Sequence, residues 1–132
     1  MNLSDRLTFL VKAEEGLATA ESEFVNRRYN SCVNRCYYAA FQSAVAALLE
    51  AGVRAPGTAG RWSHAYVQAQ FAALITRRKA YSATHRDTLL RLSALREMAD
   101  YTTDQVSQTQ AARALRRAQA FVSAVQARGE PS

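Results

Sequence analysis

The sequence predicts an all-α fold, an up-and-down bundle of four to five antiparallel helices, and three observations predict it. The 132 residues are 48% hydrophobic and 21% charged, the balance of one domain around one core. Only two prolines, Pro56 and Pro131, and five glycines interrupt the chain. Between them run stretches rich in Ala, Leu, Arg, Gln and Glu, which lose little freedom in a helix, with apolar residues recurring every three or four positions. The expected organisation is a single bundle over residues 1–128 and a disordered tail over 129–132.

The first helix is expected from about Ser4 to Asn26, burying a stripe of Leu7, Leu10, Val11, Leu17, Ala18, Glu21 and Phe24. Ser4 or Asp5 can cap its start by accepting from an unpaired backbone N–H, and Arg27 and Arg28 lie near its end, where cations suit the dipole. Gly16 inside it costs about 1 kcal/mol relative to alanine, a cost that a close helix neighbour would explain.

The second helix, from Tyr29 or Asn30 to Ala51, carries the clearest amphipathic pattern in Val33, Tyr37, Ala40, Phe41, Ala44, Val45 and Leu48, and Gly52 stops it. The segment Val53 to Arg61, containing APGTAG, reads as a loop. A third helix, about Ser63 to Thr76, turns Val67, Phe71, Leu74 and Ile75 inward, with Trp62 as a staple at its mouth. Arg77 to Thr84 reads as a basic connector.

A fourth helix, about His85 to Tyr101, presents Leu89, Leu92, Leu95 and Ala99 to the core, which sets Arg96 beside the apolar stripe. The last helix, from Thr103 or Ser107 to Arg128, carries Ala111, Leu115, Ala118, Val122 and Val125 at bundle spacing.

The apolar runs fall short of the roughly 18–20 residues that span a bilayer, and MNLSDRLTFLVKAEE lacks a basic stretch followed by an apolar core. A cytoplasmic protein with no membrane association is therefore expected. Cys32 and Cys36 stand one helical turn apart with no second ligand pair at zinc-site spacing, so they read as buried free thiols and no metal is expected. The net charge is +6, carried by 15 arginines and two lysines. Arginine forks suit phosphates, but these are scattered along the chain rather than gathered in one run. No Gly-rich phosphate loop, paired-carboxylate metal motif or GxSxG is present, and no cofactor is expected.

Four landmarks carry a family resemblance. Asn34 to Phe41, NRCYYAAF, resembles the "RxYYAxF" core of HEPN proteins, especially the small single-domain group labelled UPF0332. Trp62 to Phe71, WSHAYVQAQF, is similar to the family's His-led third helix, and Leu92 to Tyr101, LSALREMADY, to its "LxxLRxxADY" helix. Ala111 to Val122 is similar to its closing "AxxxLxxAxxF" helix. Together they cover about residues 5–125, in family order.

Helical geometry gives these residues a place. Asn34 and Tyr38 are four apart and share an edge of the second helix, Tyr37 lies nearer the core stripe, and Arg96 and Asp100 stand at i and i+4. A guanidinium beside an apolar stripe needs carboxylate or phenol partners. Two readings stay open. Arg96, Asp100, Tyr38 and Asn34 form a polar clamp between helices, or, with Arg35 and His64, they line a groove for RNA or a nucleotide in which Arg96 contacts phosphate.

The resemblance implies a metal-independent RNase in which an Arg is followed four to six residues later by a His, with active sites where two protomers meet. Arginine would steady the phosphate charge and histidine would move the proton of the attacking 2′-hydroxyl. Here Glu97, Met98, Ala99, Asp100 and Tyr101 follow Arg96, and no histidine lies beyond it. Arg78 and His85, with six residues between them, satisfy the spacing when intervening residues are counted, but fall in or beside the connector, away from the motif position.

The expectation is therefore a dimeric HEPN-type binding protein of a toxin–antitoxin or defence system, associated with RNA. The resemblance also implies a minimal nucleotidyltransferase partner and makes Tyr101 the position that accepts nucleotide groups. The rival expectations are an endoribonuclease using Arg96 with Tyr101, Asp100 or His64, and a bundle that only scaffolds a complex.

Overall fold

In the computed structural model, which describes residues 3–57 and 61–129, five α-helices pack against one another and no strand occurs among the described residues. They are α1 (Leu3–Val25), α2 (Tyr29–Glu50), α3 (His64–Arg78), α4 (Thr88–Tyr101) and α5 (Gln108–Gly129), with a 3-10 turn at Ala83–His85. The expected all-α bundle is the observed architecture.

Helix α2 is the axis of the bundle, and α1, α3, α4 and α5 all pack on it. Its centre is buried nearly all round, from Cys32 and Val33 through Tyr37 and Ala44 to Leu48. The helix ends at Ala51, whose N–H still bonds back to Ala47, and Gly52 takes the left-handed conformation (φ +83°) that lets the chain turn away.

Helix α1 runs antiparallel to α2: Arg6 pairs with Glu50 at 3.2 Å near one end and Phe24 meets the Tyr29 ring near the other. At the crossing, a Cβ on Gly16 would stand 3.4 Å from the Ala39 Cβ, which is the close approach that the glycine implied. The expected buried stripe of α1 needs correction. Leu10 is buried and Leu17 and Phe24 are half-buried, but Leu7, Val11, Ala18 and Glu21 are exposed, and Ala13 and Ala20 take their place. Close packing against Ala39 requires small residues in the seam, and this rotates the larger Leu7 and Val11 to the outside.

Helix α4 is also antiparallel to α2, tied by Asn34 to Asp100 and by Asn30, whose Oδ1 accepts from the Val106 N–H. Helix α5 is antiparallel to α1, with Gln126 bonded to Glu14 and Gln119 to Glu21. It starts in a capping box, Ser107 Oγ accepting from the Gln110 N–H while Gln110 Oε1 accepts from the Ser107 N–H.

Helix α3 is the exception to strict alternation. Its first turn meets Tyr37 in the middle of α2, and its last residue, Arg78, donates to the Ala51 carbonyl at the end of α2. It therefore runs in the same sense as α2, and the connection between them carries the chain back along the bundle. Ser63 caps α3 by accepting from the Tyr66 N–H, and Trp62 lies half-buried against the Tyr66 ring.

Other boundaries shift by small amounts. Helix α1 starts at Leu3, so Asp5 sits in its first turn, where a carboxylate suits the dipole, and the Ser4 side chain falls outside the described residues. Arg77 and Arg78 belong to α3 rather than to the connector, which begins at Lys79 in a left-handed cap (φ 50°). Helix α4 starts at Thr88, after the 3-10 turn that holds His85. Gly129 closes α5, and the rest of the expected tail, 130–132, falls outside the described residues, as do 58–60 of the APGTAG loop.

Candidate functional site

The Arg96 side chain enters the bundle between α4 and α2 and is 90% shielded from solvent. Its guanidinium carbon lies 5.0 Å from the Tyr37 ring centre and 5.7 Å from that of Tyr38, so two phenol faces cradle the charge. Consecutive residues of α2 reach one guanidinium because their rings pack edge to face, with centres 5.1 Å apart.

Two carboxylates stand near the cation without closing on it. Asp100 Oδ2 is 3.6 Å from Nη1 and Glu97 Oε1 is 3.9 Å from Nη2, both beyond hydrogen-bond distance, and Nε is buried with no hydrogen-bond partner among the described residues. Burial works against the charge, but the hydrogen bond with the Tyr101 hydroxyl and the fields of Tyr38 and Tyr37 hold the guanidinium pKa above its ordinary value. Arg96 is a fixed cation flanked by two carboxylates at ion-pair distance, neither of them close enough to accept a hydrogen bond from it.

Asn34 organises the outer edge. Its Nδ2 donates to Asp100 Oδ2 at 3.0 Å, while its Oδ1 accepts from Arg35 Nε at 3.0 Å and from Nη2. The Arg35 guanidinium then lies 5.6 Å from the Tyr38 ring centre. A continuous polar chain, Arg35–Asn34–Asp100–Arg96, thus links the surface of α2 to the interior of α4.

The inner wall holds what the sequence pattern did not disclose. Tyr37 reads as a core residue and is fully buried, yet its hydroxyl bonds His64 Nδ1 and receives the Gln68 side-chain amide at 3.4 Å. The available signal was chemical: a tyrosine in a core stripe carries a hydroxyl that must find partners. Burial pushes the Tyr37 phenol above its ordinary pKa, against the Gln68 hydrogen bond and the Arg96 charge, and Ser93 of α4 also bonds it.

His64, the first residue of α3, stacks on Tyr37 with ring centres 5.4 Å apart and touches Phe41 at 4.9 Å. Burial of the ring, then the Arg96 charge, lowers its pKa, so it is neutral at neutral pH. The Tyr37 hydroxyl and His64 Nδ1 share one hydrogen bond whose donor depends on the imidazole tautomer, and in either arrangement Nε2 is the ring nitrogen that Tyr37 does not engage. The residue itself is exposed at the surface.

Of the residues singled out in the sequence, Asn34, Arg35, Tyr38, His64, Arg96 and Asp100 therefore come together around one guanidinium. Tyr101, at the end of α4, is 76% exposed and reaches the cluster through its hydroxyl. Arg78 and His85 serve elsewhere: Arg78 closes the end of α2, and His85 lies edge-on to Phe121, its pKa lowered by burial. The thiols of Cys32 and Cys36 are buried and unpaired. No cluster of His, Cys, Asp and Glu able to hold a metal occurs among the described residues, and no helix among them is long and apolar enough to cross a membrane.

A family model for the HEPN domain matches residues 8–128. No curated protein matches the chain.

Proposed function

Since the chain belongs to the HEPN domain family, we propose that it is an RNA-associated member of a prokaryotic toxin–antitoxin or defence system in which the Arg96 cluster binds an RNA phosphate. The observation that carries this reading is a guanidinium whose two flanking carboxylates accept no hydrogen bond from it. Arg96 is held by two tyrosine rings, its nearest carboxylates lie at 3.6 and 3.9 Å, and His64, whose Nε2 Tyr37 does not engage, stands against the same rings. A preorganised guanidinium whose carboxylates stand beyond hydrogen-bond distance suits a phosphate oxygen.

The same cluster bears on catalysis. With Nδ1 engaged by Tyr37, only Nε2 of neutral His64 is left to meet a ligand, as a donor in one tautomer and as the acceptor that abstraction of a 2′-hydroxyl proton needs in the other. The lack of histidine after Arg96 favours binding over cleavage. The second reading, a metal-independent endoribonuclease, draws on His64 standing against the same tyrosine pair as Arg96; it requires the tautomer in which Nδ1 donates to Tyr37 and Nε2 accepts.

The partner we propose is a minimal nucleotidyltransferase, with exposed Tyr101 as the acceptor of a nucleotide group, in a homodimer of the small single-domain type. Purified protein titrated with labelled single-stranded RNA should bind at low salt and weaken steeply as salt rises, and Arg96→Lys, which keeps the charge but loses the fork, should bind several-fold more weakly. RNA cleavage abolished by both Arg96→Lys and His64→Ala would establish the second reading instead. Absence of RNA binding at low salt would leave only a scaffold.

A further inference from the structure

Beside the Tyr38 ring, which also packs on Arg96, a cleft of about 370 Å³ opens between α1 and α2. Lys12, Glu15, Thr19, Arg35, Tyr38 and Gln42 line it, and the bare backbone of Gly16 forms part of its wall. Resting on the reading of Arg96 as a phosphate site, we propose that this cleft is a second subsite, which holds the neighbouring ribonucleotide unit.

The chemistry of the lining suits a nucleotide. Lys12 and Arg35 outnumber the single acid, Glu15, and Arg35 is aimed by the two bonds it gives to Asn34 Oδ1, so a cation is fixed at the cleft mouth rather than free to wander. Gln42 is half-buried and makes no hydrogen bond among the described residues, which leaves an amide donor and acceptor for a base edge. The Thr19 hydroxyl donates to the Glu15 carbonyl and keeps its oxygen as an acceptor, and the partly exposed Tyr38 ring offers an apolar wall for a base.

Continuity with the Arg96 cluster is the stronger argument. Tyr38 belongs to both: the Arg96 and Arg35 guanidiniums lie 5.7 and 5.6 Å from its ring centre. Both cations lie within reach of the same ring and are joined by the chain through Asn34 and Asp100, so a phosphate at one presents the next unit of a strand to the other. A free mononucleotide has the same chemistry as a strand unit and could fill the cleft alone.

The test compares uridine monophosphate, a uridine dinucleotide and a uridine hexanucleotide on the full chain, with Lys12→Ala and Thr19→Trp as variants. Thr19 is exposed, so an indole there fills the cleft without entering the core, and thermal melts check that both variants fold. The dinucleotide should bind the wild type at least tenfold more tightly than the monophosphate, and the hexanucleotide at least as tightly as the dinucleotide. Both variants should lose most of that gain, and Lys12→Ala should reduce the salt slope by about one.

Mononucleotide binding that disappears in Lys12→Ala also supports the subsite and makes a free nucleotide its occupant, even if no RNA strand binds and the Arg96 reading falls. RNA binding that depends on Arg96 but is the same in wild type, Lys12→Ala and Thr19→Trp overturns the subsite and leaves the Arg96 reading standing. If none of the three probes binds, both fall.

Discussion

Asn34 and Asp100 share one hydrogen bond across the α2–α4 seam, and that bond fixes the orientation of the asparagine amide. Nδ2 donates to the carboxylate at 3.0 Å because Oδ1 is already committed to Arg35. The same Asp100 oxygen that accepts from Asn34 faces Arg96 at 3.6 Å. One carboxylate oxygen therefore couples two arginines that belong to different helices.

That coupling should be measurable. Asn34→Ala is expected to cost about 1 kcal/mol of unfolding free energy, and Asp100→Ala about 1–2 kcal/mol, since Asp100 is partly exposed and its tie to Arg96 is partly screened. The double variant should cost less than the sum by roughly 0.5 kcal/mol or more. Urea titrations of the four proteins measure this, and strict additivity would contradict a shared network.

The two histidines predict how stability depends on pH. Both have folded pKa values below their ordinary 6.5, His64 through burial and then the Arg96 charge, His85 through burial. The unfolded chain therefore takes up these protons first as pH falls. Stability from this source is intact above about 6.5, declines as pH drops below that value, and stops declining beneath the folded pKa values. Thermal midpoints at pH 7.5 and pH 5.5 should show the drop, and a His64→Gln, His85→Gln double variant should show a smaller one. In a histidine-proton NMR titration, both midpoints should fall below that of free histidine.

At the α1–α2 crossing, the size of residue 16 should decide the outcome. A methyl there meets the Ala39 Cβ at 3.4 Å, an ordinary contact at its tight edge. Gly16→Ala should therefore keep part of the helix-propensity gain and stabilise by about 0.5 kcal/mol. Gly16→Leu should push the helices apart and destabilise by about 1–3 kcal/mol. Denaturant midpoints separate the two variants.

Thiol chemistry gives an independent probe of the core. A hydrogen bond from Cys36 lowers the Cys32 pKa, and that bond together with burial raises Cys36 strongly, but both side chains are fully buried. Exposure and not thiolate fraction should control reactivity. Native protein should resist a maleimide reagent over the period in which unfolded protein reacts completely, and labelling should follow the unfolding rate. Rapid native labelling at Cys32 would show that the centre of α2 opens locally.

Periodicity alone made the five helices legible, because a helix in a bundle must repeat its apolar face every three to four residues whatever it packs against. The same logic placed Arg96 beside the core stripe and Asn34 on one edge with Tyr38. It could not place the seam of α1. Leu7, Val11, Ala18 and Glu21 satisfy the spacing as well as Ala13, Gly16 and Ala20 do, and only the contact with Ala39 selects the small residues for burial.

The candidate site divides in the same way. The sequence by itself determined that Arg96 would need partners, and it supplied Asp100 on the same helix and Asn34 and Tyr38 on another. Only the tertiary structure decided that His64 joins them. Helix α3 runs in the same sense as α2, so its first residue lands beside Tyr37 in the middle of the bundle rather than near the end of α2. The direction of a helix depends on the path of the loop before it and on the surfaces it must cover, and no local pattern of residues records either.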